Sequence, residues 1–180
     1  APSAVPCAVY REMPHVMTTE DINEIIDGYR LSARYSREGG LDGVEVHGMS
    51  HGYLLNQFLS PATNFRKDNF GGSLVNRMRI VTEILEATRA EIGPEMIMWM
   101  RINSDDGHEG GLSPDEWADI AKEFEETGLI DYISCSHGTY INRMLIYPTA
   151  PEKHGFQLDA TAQIKSKLKL PVVGVGRITT

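Results

Sequence analysis

Apolar residues recur along this chain in two alternating rhythms, a three-to-four-residue stripe and short, nearly unbroken runs. The first stripe, Ile22, Ile25, Ile26 and Tyr29, follows Thr18, which has Asp21 three residues on in the manner of a capping box. Gly39-Gly40 closes that predicted helix. Gly43-Val44-Glu45-Val46-His47 reads as a short strand, and residues 48–72 as a long irregular segment holding Ser60-Pro61 and Gly71-Gly72. A segment of that length with aromatic residues reads as functional rather than disordered. Ser73 caps a second helix with Ile80, Val81, Ile84, Leu85 and Thr88 on one face, stopped by Gly93-Pro94. Residues 96–102 are almost continuously apolar, as expected of a strand covered on both sides. Ser113-Pro114-Asp115-Glu116 combines an N-cap, a first-turn proline and a capping-box glutamate, ahead of Trp117, Ile120, Ala121 and Phe124. Residues 132–136 form a third strand, a loop runs from 137 to 158, a helix with Ile164 and Leu168 inward starts near Asp159, and residues 171–175 form a fourth strand.

Helix, then three strand–helix units, then a strand implies a parallel sheet with crossover helices. Its glycines and polar residues gather after the strands, at the carboxyl edge where α/β sheets bind ligands. Composition narrows the partners. There are 17 Lys plus Arg against 25 Asp plus Glu among 180 residues, a net charge of −8, which argues against nucleic acid or an anionic membrane. A small molecule is the expected partner, and a homo-oligomer is left open. No apolar run approaches the ~18 residues of a membrane span. Cys7 and Cys135 lie far apart and form neither a disulfide framework nor a zinc pattern, so the expected compartment is the cytoplasm. The length falls short of the roughly 250 residues of a complete (β/α)8 barrel. The chain opens Ala1-Pro2-Ser3 without Met and closes Ile178-Thr179-Thr180 just after a strand, as a piece of a larger protein would.

Several residues at the predicted edge can carry chemistry. His47 and His51 flank Gly48-Met49-Ser50. They read either as polar turn residues or as paired imidazoles that polarise a carbonyl or phenolate oxygen. A metal site is not expected, His108 and Glu109 being the only further candidate ligands. Tyr53 reads as a packed loop aromatic or as a proton donor. Arg101 ends an apolar run and needs a partner, either Asp105 or Asp106 or an anionic ligand. Gly174-Val175-Gly176-Arg177 reads as a tight turn or as a phosphate site, and its spacing does not fit a dinucleotide fingerprint.

Residues 52–61, Gly-Tyr-Leu-Leu-Asn-Gln-Phe-Leu-Ser-Pro, followed by 64–79, Asn-Phe-Arg-Lys-Asp-Asn-Phe-Gly-Gly-Ser-Leu-Val-Asn-Arg-Met-Arg, closely resemble the signature of the old yellow enzyme family. Pro2-Ser3-Ala4, Arg11-Glu12-Met13, the Arg101 strand and Gly174–Arg177 fall in the family's order. The resemblance implies an α/β fold, a (β/α)8 TIM barrel of which residues 1–180 supply the middle, about strands four to seven, without the N-terminal strands and the last βα unit. It implies an FMN-dependent oxidoreductase using NAD(P)H, reducing the C=C bond of α,β-unsaturated carbonyls. Flavin-dependent amine dehydrogenation or demethylation is the alternative, as is a non-catalytic fragment. It implies His47 and His51 as the pair binding the substrate's activating oxygen, in a family that uses His/His or His/Asn there, and Tyr53 as proton donor. Arg101 falls at the flavin N1/O2 edge, and Gly174, Gly176 and Arg177 in the region holding the phosphate. Three residues separate His47 from His51 where the family has two, so one residue is expected to bulge. Phe70 and Val75 stand where tyrosine and glutamate are usual. Any iron–sulfur cluster or FAD would lie in parts beyond this chain, and the chain alone is expected to bind FMN weakly or not at all.

Overall fold

The caps act where the sequence places them. In a computed structural model, which describes residues 1–179, Thr18 Oγ1 accepts the Asp21 amide and the Asp21 carboxylate accepts the Thr18 amide, starting α1 (Thr19–Glu38). β1 (Gly43–Met49) follows, then a six-residue helix α2 (Leu54–Leu59) that the sequence reading left inside an irregular segment. The Ser73 hydroxyl accepts the Asn76 amide and opens α3 (Leu74–Ile92), which leads to β2 (Ile97–Asn103). Ser113 and Glu116 complete the second capping box before α4 (Pro114–Glu126), and β3 (Tyr132–Ser136) follows. A 3₁₀ turn (Tyr140–Asn142) and α5 (Arg143–Ile146) interrupt the predicted loop. α6 (Leu158–Lys167) then runs to β4 (Val172–Val173), a shorter strand than expected.

The sheet is parallel in the order β1-β2-β3-β4. Parallel neighbours in sequence order, joined by right-handed crossovers, place their helices on one side. Val46, Met98, Met100, Ile102 and Ile133 point to that side and are buried against Ile80, Ile84, Leu85, Trp117, Ile120 and Phe124. β2 therefore alternates instead of being covered on both faces. Met98 and Met100 are fully buried, whereas Ile97 is 46% exposed and Trp99 and Arg101 are half-buried. The apolar run of residues 96–102 marks a strand, but helices cover only one of its faces among the described residues.

The expected bulge is present. Val46 pairs with Met100 and Met49 with Ile102, so three steps along β1 oppose two along β2. Gly48 absorbs the irregularity at φ 125°, a conformation closed to residues with a Cβ. The extra residue returns Met49 to the core at 0% exposure while His47 stays on the opposite face from Val46.

Ile84 is fully buried between α3 and the sheet. Ile84→Ala is expected to destabilise the protein by about 2–5 kcal/mol, read as a lower urea midpoint, through lost transfer energy and an unfilled cavity.

Candidate active site

Beyond the carboxyl ends of β1, β2 and β3 three loops meet. The turn after β1 is held at each backbone group. Tyr53 N donates to Ser50 O (3.0 Å), Tyr140 N donates to His51 O (3.2 Å), and His51 pairs with Thr139 as an isolated parallel bridge. His51 adopts φ 57° and Gly52 φ 81°. The left-handed region costs a non-glycine residue roughly 1–2 kcal/mol, so these bonds must over-determine it.

The turn brings three predicted side chains together. Tyr53 meets His47 edge-on at 5.5 Å between ring centroids and His51 at 5.7 Å. His51 Nδ1 lies 3.2 Å from the Gly138 carbonyl. A carbonyl only accepts, so Nδ1 carries the proton and the neutral ring keeps its lone pair on Nε2. His47 Nδ1 is buried and has no hydrogen-bond partner; Glu45 Oε1 is 3.7 Å away, within ion-pair but not hydrogen-bond reach. Burial holds both imidazoles below their ordinary pKa, with Arg101 pushing each further down.

Arg101 is not paired as the sequence suggested. Its guanidinium meets Glu45 from β1, with Nε and Nη2 each 3.1 Å from Oε2. Trp99 Nε1 donates to the same oxygen at 2.6 Å. Asp105 instead accepts the Gly107 amide, and Asp106 is buried among four N–H donors. Glu45 sits opposite Trp99 in the sheet register, on the face away from the helices, which is why it reaches both side chains.

Gly174, Gly176 and Arg177 lie apart from this cluster, after β4. A Cβ at Gly176, which has φ 115°, would meet the Gln157 side chain at 2.9 Å, and one at Gly174 would meet the end of the Leu158 side chain at 3.0 Å, so both glycines pack closely on the start of α6. Arg177 Nη1 donates to the carbonyls of Thr149, Ala150 and Glu152, tying that segment to the strand end.

Two residues not singled out in the sequence, Tyr140 and His137, belong to the site, and Asp106, offered there only as a partner for Arg101, supports it. Tyr140 Oη lies 3.4 Å from Tyr53 Oη and donates to it, which raises the Tyr140 pKa. His137, 8% exposed, lies with Nδ1 2.9 Å from Ser104 Oγ. Asp106 is 1% exposed. A histidine at the carboxyl end of β3, as His47 lies near the carboxyl end of β1, was the signal available in the sequence. Beside Tyr53 and Tyr140 opens a cavity of about 430 Å³, lined mostly by apolar groups, with Val5, Pro6, Leu54 and Ile141 among them.

The residues fit the ring of a flavin. Arg101 is bonded to Glu45 with its side chain 37% exposed on the open face, and His47 Nδ1 nearby has no hydrogen-bond partner. Such a donor set suits an electron-rich, acceptor-bearing ring.

Comparison with known proteins identifies relatives of the chain as a whole. The NADH:flavin oxidoreductase / NADH oxidase family matches residues 2–180. An NADPH dehydrogenase of Geobacillus sp. (strain WCH70) is 37% identical over 100% of this chain and 50% of its own length. A 2-naphthoyl-CoA reductase structure superposes with a TM-score of 0.89 at 35% identity, over 99% of this chain and 27% of that one. The old yellow enzyme homologue of Zymomonas mobilis gives a TM-score of 0.76 at 24% identity, over 99% of this chain and 51% of that one. The chain thus spans about half the length of the NADPH dehydrogenase it matches. Its fold is that of part of the α/β barrel seen in old yellow enzyme relatives.

Burial also lowers the pKa of His137, so three imidazoles titrate below 6.5 in the folded chain. Between those midpoints and 6.5 the unfolded chain binds more protons, so their stabilising contribution is complete above about pH 6.5 and is lost as pH falls through the folded midpoints. Ring-proton NMR titration is expected to give midpoints below 6.5 for His47, His51 and His137; a His51 midpoint above that value contradicts the buried setting.

Proposed function

We propose a function on one premise: the chain belongs to the NADH:flavin oxidoreductase / NADH oxidase family. We read it as the middle of an FMN-binding (β/α)8 barrel, about strands four to seven, in a protein that reduces the C=C bond of α,β-unsaturated carbonyl compounds with NAD(P)H. The observation that carries this reading is the convergence of His47, His51 and Tyr53 at one strand edge.

FMN, when bound, supplies hydride to the substrate's β-carbon. Arg101, bonded to Glu45, would hold the ring's N1/O2 edge, and the turn of Gly174, Gly176 and Arg177, with Arg177 Nη1 engaged by backbone carbonyls, would hold the phosphate through its backbone amides. His47 and His51 bind the substrate's carbonyl oxygen and stabilise the negative charge that develops there. His51 Nδ1 commits its proton to Gly138, so in the free site Nε2 only accepts; it donates to the substrate oxygen when the negative charge developing there favours a second proton on the ring. Tyr53 delivers a proton to the α-carbon. Tyr140 supports that role by donating to Tyr53 Oη, which leaves Tyr53's own hydrogen free to be given away. The apolar cavity beside the two phenols suits the body of a small uncharged substrate. The free cysteines Cys7 and Cys135 support a reducing, cytoplasmic setting.

The full-length protein is expected to purify with stoichiometric FMN, seen as an absorbance band in the blue; a flavin-free full-length protein overturns the reading. Tyr53→Phe is expected to slow alkene reduction by about 10²–10⁴-fold while leaving reduction of the flavin by NAD(P)H unchanged, measured by stopped flow.

A further inference from the structure

The turn that carries His51 and Tyr53 is anchored from below. Asn103, the last residue of β2, accepts the His51 amide on Oδ1 (3.2 Å). Asn56, in α2, accepts the Gly52 amide on Oδ1 (2.8 Å). These are the amides of the two consecutive residues in left-handed conformation. Each asparagine turns its Nδ2 to the same oxygen, Oδ1 of Asp106, at 2.8 Å from Asn103 and 3.4 Å from Asn56. Trp117 Nε1 from α4 donates to that oxygen at 3.1 Å, and Leu112 N donates to Oδ2 at 2.9 Å.

From this arrangement we infer that Asp106 is a positioning residue for the site, holding His51 and Tyr53 in register through the two asparagine amides. The inference rests on the functional reading above for the importance of His51 and Tyr53, but the anchoring itself is independent of any flavin. A carboxylate facing four N–H donors can only accept, and a backbone amide can only donate. Between those two fixed ends each asparagine has one allowed orientation, NH₂ toward Asp106 and oxygen toward the turn. Asp106 lies 1% exposed, so water does not compete for these bonds. Replacing it by asparagine introduces a donor among donors. At least one amide group must then rotate or lose its partner, and the nearest consequence falls on the His51 and Gly52 amides.

The test uses the full-length protein and two variants, Asp106→Asn and Asn103→Ala. The second cuts only the link to His51 and leaves Asp106 bonded to Trp117 and Leu112, so it keeps the inference falsifiable if the first fails to fold. Hydrogen exchange followed by mass spectrometry is expected to show exchange in the peptide covering residues 51–53 at least tenfold faster in both variants, with α3 and β2 unchanged. Affinity for a simple phenol, titrated on the flavin-loaded protein, is expected to fall about tenfold with bound flavin unaltered. Exchange at residues 51–53 within twofold of the parent overturns the inference. So does acceleration spread equally over α3 and β2, which would make Asp106 a general stability element. Unchanged phenol affinity despite loosened amides overturns the positioning role. Absence of flavin from the parent protein defeats the functional reading alone, and the exchange experiment still decides the anchoring.

Discussion

The parallel hydrogen-bond ladder governs where every other group stands. Strands that all run the same way must be joined by crossovers, and crossovers of one hand lay α3, α4 and α6 over a single face. One parity of side chains, Val46, Met98, Met100 and Ile133, then belongs to the core. The other parity, Glu45, Trp99 and Arg101, faces away from the helices. The same ladder delivers all strand ends to one edge. Residues as distant in sequence as His51 and Gly138, 87 positions apart, meet there without any strand leaving its path.

On the open face, one carboxylate organises the charge. Glu45 accepts from Trp99 and Arg101 and lies near His47, so the cation is oriented rather than free to turn toward solvent. A half-buried pair of this kind gains more from its fixed geometry and shared hydrogen bonds than an exposed pair would. Arg101 accordingly presents its remaining N–H groups in a defined direction, with its charge partly balanced by Glu45. His47 shares the face of Glu45 by the two-residue period of the strand, and the bulge at Gly48 returns Met49 to the core.

The helices with caps were legible because their signals are local: Thr18, Ser73 and Ser113 each bond an amide three residues on. α2 was not, because Tyr53 makes no side-chain cap and the helix is held by bonds from Asn56 and Gln57 back to Gly52. The sequence pattern placed β2 correctly but misjudged its second face, since an apolar run reports strand propensity and not which layers cover it. His47, His51 and Tyr53 were legible from spacing and signature. Their supports were not. Glu45 becomes the partner of Arg101 only through sheet register, 56 residues away, and Tyr140 reaches Tyr53 across 87. Such distances carry no local pattern, whereas Asp105 and Asp106 attracted attention merely by being near.

The backbone at His51 also sets what can ever replace it. Its φ of 57° admits few side chains comfortably: glycine, and with tolerance asparagine, aspartate and histidine. Glycine brings no donor, and aspartate would set a negative charge against the oxygen it should welcome. Asparagine alone keeps both the backbone shape and an N–H to give. Any replacement at residue 51 is thus screened first by a torsion angle and only then by chemistry.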